Sequence, residues 1–189
     1  MSNLKNIALA ISILLASSSI YSVSAASSIP GNIVASSNLT VSDFGVTIAG
    51  QRFAIGDEWN EKAIQLAGKE ESGEFVGDVP SGDSSYKFWQ HNYSGYSLYS
   101  SNIFWDKQQR SIDSYLIAQI SLDSPVITTF RGIKVGDTES KLVEKYGSGA
   151  ADDSDDQHWI GYESSDKRIA FQIENKKISH ITMLYKLSD

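Results

Sequence analysis

Eight aromatic side chains fall within twenty positions of one stretch, YKFWQHNYSGYSLYSSNIFW at residues 86–105. They are Tyr86, Phe88, Trp89, Tyr93, Tyr96, Tyr99, Phe104 and Trp105. Strand side chains alternate between faces, so Phe88 points one way while Trp89, His91 and Tyr93 point the other. A single sheet face against a helix absorbs one of these sets. The other set packs against a second structural unit or meets a partner. The mixture of Tyr, Trp, Ser, Asn and Gly matches protein-binding surfaces better than Leu/Ile/Val cores. A second stretch, Gln157-His158-Trp159-Ile160-Gly161-Tyr162, stands where the first has Phe88-Trp89-Gln90-His91-Asn92-Tyr93. Two histidine-aromatic strands in equivalent positions make a pseudo-symmetric site or two ordinary strand starts of common descent. The candidate partner-binding residues are therefore Trp89, His91, Tyr93, Tyr96, Tyr99, Trp105, His158 and Trp159.

Other chemistry finds little purchase. The chain has no cysteine, which removes thiol nucleophiles, Cys-ligated zinc, disulfides and an N-terminal lipid anchor on Cys. Its three histidines, His91, His158 and His180, show no H-E-x-x-H spacing. Gly95-Tyr96-Ser97-Leu98-Tyr99 lacks the second glycine of a nucleophile elbow. Ala67-Gly68-Lys69-Glu70 reads as a helix end and not as a phosphate cradle. The acidic loop at residues 152–156 carries Asp152, Asp153, Asp155 and Asp156, enough carboxylates for calcium, but not in EF-hand order. It reads as a solvated loop that speeds association with a basic partner. The expectation is a non-enzymatic protein with no cofactor and no metal.

Composition agrees with a folded, exported chain. Of 189 residues, 41% are apolar and 21% charged, and the net charge is −7. That is too apolar for disorder, and without a Lys/Arg cluster it is unsuited to nucleic acid or anionic membrane surfaces. Residues 1–25 have the layout of a secretory signal peptide: Lys5, an apolar run from Ile7 to Ala16, then Val23 and Ala25 before the cleavage point. The run is about half the length of a membrane span. Residues 26–38 form a Ser-rich, uncharged leader, and the mature protein is secreted or extracytoplasmic.

The remainder repeats. Val46, Phe53, Ile55, Gly56-Asp57 and Gly68 match Val126, Ile133, Val135, Gly136-Asp137 and Gly147, a period of about 80 residues. In the second copy Asp137 or Thr138 caps a short helix whose apolar face carries Leu142, Val143 and Tyr146, and Gly147 ends it. In the first copy Trp59, Ala63, Ile64 and Ala67 offer the equivalent face. Alternating strands follow each helix, as in Ile169, Phe171 and Ile173, then Asn175-Lys176, then Ile181, Met183 and Tyr185. The expected fold class is α+β: two tandem repeats at 39–125 and 126–189, each a short helical segment on an antiparallel β-meander.

Gly136-x-Thr138, Val143 and Gly147 before a meander form a pattern similar to the small outer-membrane assembly lipoproteins. The tandem duplication more closely resembles the β-lactamase-inhibitory proteins, over residues 40–189. That resemblance implies helices paired with a sheet in each repeat and a joint concave surface gripping a protein. The inhibitors' disulfides and the lipoproteins' acylated Cys are absent, and no inhibitor contact residue maps onto this chain. The resemblance therefore implies a fold and a style of function, without naming β-lactamase as the target.

The functional expectation is a secreted, inhibitor-like binding module that engages a protein through its aromatic sheet surface. His91, His158 and the loop at 152–156 would lie at the rim. The alternatives are a carbohydrate or cell-wall binder using the same aromatics, and a structural envelope module in which they form the seam between repeats.

Overall fold

Runs of β-branched and aromatic residues, broken by Gly, Asn and Ser, pair here into a long antiparallel sheet. The computed structural model describes residues 39–153 and 156–187. The expected signal peptide, the leader, and Ser154 and Asp155 of the acidic loop lie outside the described residues. The large sheet contains β3 (Ser72–Ser81), β4 (Ser84–Tyr93), β5 (Tyr96–Ser101), β6 (Leu116–Leu122), β8 (Ala150–Asp152), β9 (His158–Glu163), β10 (Lys167–Glu174) and β11 (Lys177–Tyr185). Its order is β3-β4-β5-β6-β11-β10-β9-β8. A second sheet joins β1 (Gly45–Ile48), β2 (Gln51–Ala54) and β7 (Thr128–Thr129) in the order β2-β1-β7. Among the described residues the α-helices are α1 (Glu61–Ala67) and α2 (Glu139–Tyr146).

This corrects the expected fold class. The protein is mostly antiparallel β in two sheets, and it is not a pair of helix-plus-meander α+β units. These two helices are only seven and eight residues long, too short to form a layer of their own. The central strands β5 and β6 are buried along their whole length. Such strands need pairing on both edges, and β6 obtains it from β11, about sixty residues on. The β1–β7 and β6–β11 pairs both cross the expected boundary near residue 125.

Locally the sequence behaves as its residue types dictate. Asp57 Oδ2 accepts from the Ala54 N–H at 2.8 Å, and Asp137 Oδ2 accepts from the Lys134 N–H at 3.0 Å. Thr138 caps α2 by accepting from Lys141 N–H, and Gly147 ends it at φ +78°. Asn60 caps α1 by accepting from the Ala63 N–H. The apolar helix faces are narrower than expected: Leu142, Tyr146 and Ala67 are buried, while Val143 and Ile64 are exposed. Asn175 and Lys176 both take positive φ, the geometry of a two-residue hairpin between β10 and β11.

Directly opposed residues of paired strands share a face, so the registers define the faces row by row. On the first face, one row runs His91, Leu98, Ile120, Met183, Ile169 and Tyr162. The next runs Tyr93, Tyr96, Leu122, Ile181, Phe171 and Ile160. These rows are the centre of the core. The Tyr96 hydroxyl donates to the Ala67 carbonyl at the end of α1, and Tyr146 of α2 packs on Phe171 and Tyr162.

Candidate functional site

On the second face three parallel rows cross the same strands. The first runs Glu74, Gln90, Tyr99, Gln119, Leu184, Arg168 and Glu163. The second runs Ser72, Asn92, Ser97, Ser121, Thr182, Ala170 and Gly161. The third runs His180, Gln172, Trp159 and Asp152, with Asp123 beside His180. Small side chains fill the middle row and large ones the flanking rows, so side-chain size dips into a groove across the strands, and most of its lining is buried. Strand spacing makes its floor about 24 Å long from Asn92 to Gly161, and the flanking rows lie about 13 Å apart. Tyr99, Trp159, Leu184 and Ala170 are buried but form no part of the contiguous core beneath the first face.

Polar atoms in this groove are incompletely paired. Gln90 Nε2 donates to Asn92 Oδ1 at 2.7 Å, and Gln119 Nε2 donates to Ser121 Oγ at 3.2 Å. Their carbonyl oxygens, Gln90 Oε1 and Gln119 Oε1, have no hydrogen-bond partner, nor do Thr182 Oγ1 and Arg168 Nε. Gln119 and Thr182 are each only 2% exposed. A buried polar group left unpaired costs about 1–3 kcal/mol, so this face carries a standing penalty. The electrostatics are acidic. Burial, then the charges of Asp123 and Glu74, push the Tyr99 phenol well above the usual range. His180 Nδ1 lies 2.6 Å from Asp123 Oδ1, and Trp159 meets the His180 ring edge-on.

The residues singled out in the sequence are divided between environments. Tyr99 and Trp159 lie in the groove. Trp89, His91, Tyr93 and Tyr96 belong to the first face. Tyr93 and Tyr96 are buried there and stack at 4.7 Å, beneath the end of α1. Trp89 is 41% exposed and packs on Phe75, itself 46% exposed, at the edge formed by β3. Trp105 is partly buried against the core within the β5–β6 connection. His158 stands opposite Ile173 near the other edge, with its Nδ1 against Asp153 Oδ1.

His91 sits in a polar pocket of the first face. Its Nε2 lies 2.9 Å from Ser100 Oγ, and the Trp59 ring lies 4.6 Å from its own. Glu70 Oε2 is 3.5 Å from Nδ1, too far for a good hydrogen bond. Ser100, His91 and Glu70 stand in the order of a Ser-His-acid relay, yet Ser100 is buried within the sheet. Burial lowers the His91 pKa below its ordinary 6.5 despite the opposing pull of Glu70. The unfolded chain therefore binds this proton first. Stability from neutral His91 is fully present above pH 6.5 and is lost as pH falls from there through the lower native pKa. Denaturation midpoints at pH 7.5 and 5 should fall less in His91→Gln than in the natural protein; equal falls would refute this role.

Sequence reasoning missed Gln90, Gln119, Ser97, Ser121, Thr182 and Arg168. One signal was present: Gln119 is a lone amide in the otherwise apolar run Leu116-Ile117-Ala118-Gln119-Ile120. Simple alternation would put Gln119 beside Ile117. A register shift after Tyr99 instead sets Ile117 opposite Ser100 on the first face and Gln119 opposite Tyr99 on the second.

No family model matches this chain, and a comparison with curated proteins finds no match. Among solved structures it is similar to the uncharacterized protein YfeY from Escherichia coli, with 16% identity over 70% of this chain and 92% of that one. The TM-score is 0.42, a likeness too distant to carry a functional argument. Among the described residues, no helix is long and apolar enough to cross a membrane.

Proposed function

We propose that this protein is a secreted, non-enzymatic binding module that holds a protein partner against the second face of its large sheet and so occludes the partner's surface. The observation that carries this reading is the set of buried, unpartnered polar atoms on Gln90, Gln119 and Thr182, gathered along one groove with Tyr99 and Trp159. Folding alone gains nothing from such atoms, which marks this face as shaped by a requirement other than stability. The contact assignment moves accordingly to the groove residues. Trp89 with Phe75 is a separate exposed aromatic pair on the other face.

Photo-crosslinking tests this directly. A crosslinking side chain is placed at Asn92 or Gln172, both half-buried on the second face, and at the exposed Glu61 of α1 as control. The exported protein is then exposed to the producer's envelope and medium and to neighbouring cells. One protein species crosslinked from Asn92 and Gln172 but not from Glu61 is the expected result. Equal products from all three positions, or none, would overturn the reading. Retention on insoluble glycan with release by soluble sugar, and no protein product, would replace it with carbohydrate binding.

A further inference from the structure

We infer that the free edge of β3 takes up a short extended segment of a partner, one that sets an apolar side chain against Phe75 and basic side chains beside Glu74 and Glu70. This edge lies outside the groove and is independent of the reading given for the second face. β3 ends the large sheet: β4 pairs one of its edges, and among the described residues no strand pairs the other. The N–H and C=O groups of alternate residues along that edge are left to water, a template for one more strand. The register shift between Phe75 and Gly77, and then the missing N–H of Pro80, interrupt the template further along. What remains is Ser72-Gly73-Glu74-Phe75, four consecutive exposed residues.

Charge and shape choose the occupant. On the first face Phe75 and Trp89, both exposed and 5.1 Å apart, form an apolar platform at the end of this stretch. Glu74 is exposed on the second face. Glu70 leans over Gly73 on the first face, filling the space that a side chain there would take. His91 beside it does not neutralise it at pH 7, because burial holds the imidazole pKa below 6.5. Between residues 69 and 87 five acids, Glu70, Glu71, Glu74, Asp78 and Asp83, stand against two bases, Lys69 and Lys87. A second copy of β3 would therefore bring acid against acid, which destabilises cross-strand pairs. A strand with an apolar residue opposite Phe75 and Lys or Arg opposite Glu74 and Gly73 complements all three places.

The probe is the blocked peptide acetyl-Thr-Phe-Lys-Lys-Thr-amide, followed by amide NMR titration of the exported protein at low salt. Its control carries Glu in place of both Lys. Shifts should cluster at Ser72, Gly73, Glu74, Phe75 and the Trp89 indole, and the Glu peptide should cause none. Glu74→Lys should weaken the basic peptide about fivefold and let the Glu peptide bind. Glu61→Lys on the exposed side of α1 makes the same change in net charge and should do neither. Phe75→Ser, also at an exposed position, should weaken the basic peptide in its own right. Thermal melts verify that the three variants fold. Absence of shifts at β3, shifts centred on the second face, or equal losses in Glu74→Lys and Glu61→Lys overturn the inference. A dimer in sedimentation that Phe75→Ser dissolves would give the edge to a second copy and overturn it as well.

Discussion

Asp43→Ala should lower the stability of the fold by about 3–5 kcal/mol, because it strands a charge in a low-dielectric setting. Asp43 is buried, and its carboxylate receives Arg131 in a two-pronged contact: Nε to Oδ1 at 2.6 Å and Nη2 to Oδ2 at 2.8 Å. The same carboxylate accepts the Thr40 N–H at 2.7 Å. Arg131 also donates to the Lys145 carbonyl in the last turn of α2 and lies over the Tyr146 ring. One ion pair thus ties the segment entering β1 to the helix that covers β9 and β10. Burial works to raise the Asp43 pKa, but Arg131 and Thr40 outweigh it and hold the carboxyl below its ordinary range. The stabilisation is therefore present above pH 3.8 and is lost as pH falls through the native value. Chemical denaturation at pH 7 measures the effect. In a double-mutant cycle, Asp43→Leu/Arg131→Met should cost less than the two single losses added together. A loss below about 1 kcal/mol for Asp43→Ala would mean that the pair is as weak as a solvent-exposed one.

Tyr93→Ala should cost a similar amount, about 3–5 kcal/mol, while Trp89→Ala, four positions earlier on the same strand, should stay within about 1 kcal/mol. Both side chains belong to the first face, but Tyr93 is 5% exposed and stacked flat on Tyr96 beneath α1, whereas Trp89 lies at the sheet edge against Phe75. Truncating Tyr93 opens a cavity in the core; truncating Trp89 mostly returns surface to water. The Tyr93 hydroxyl has no hydrogen-bond partner, and burial, then Glu70 and Tyr96, push its pKa well above the usual range. Tyr93→Phe should therefore be neutral or stabilising. Thermal melts of the three variants settle the matter. A large loss from Trp89→Ala would mean that the edge pair is part of the core after all, and a small one from Tyr93→Ala would deny Tyr93 its place there.

The aromatic cluster shows where reading residues in order stops. Alternation correctly separates Phe88 from Trp89, His91 and Tyr93, since it is a property of one strand. Which set is covered depends on where α1 docks, and that is decided by contacts such as Tyr96 to Ala67, 29 positions apart. Tyr99 and Trp159 share a face, but only because four intervening strand pairings bring their rows side by side. Gln119 is visible as an anomaly, yet the register shift that turns it away from Ile117 involves a second strand.

What the sequence by itself determined is local: the caps of α1 and α2, the Gly147 terminator, the aspartate turns at Asp57 and Asp137, and the Asn175-Lys176 hairpin. Each is decided by side chains within four or five residues of the backbone they satisfy, so residue type and spacing suffice. Only the tertiary structure decided that β6 pairs with β11, joining the meanders into one eight-stranded sheet where two α+β units were expected. It also decided the groove, which exists because small residues from distant strands line up across the ladder. Those placements come from burying both faces of β5 and β6 at once, a requirement of the whole chain that no short window of residues contains.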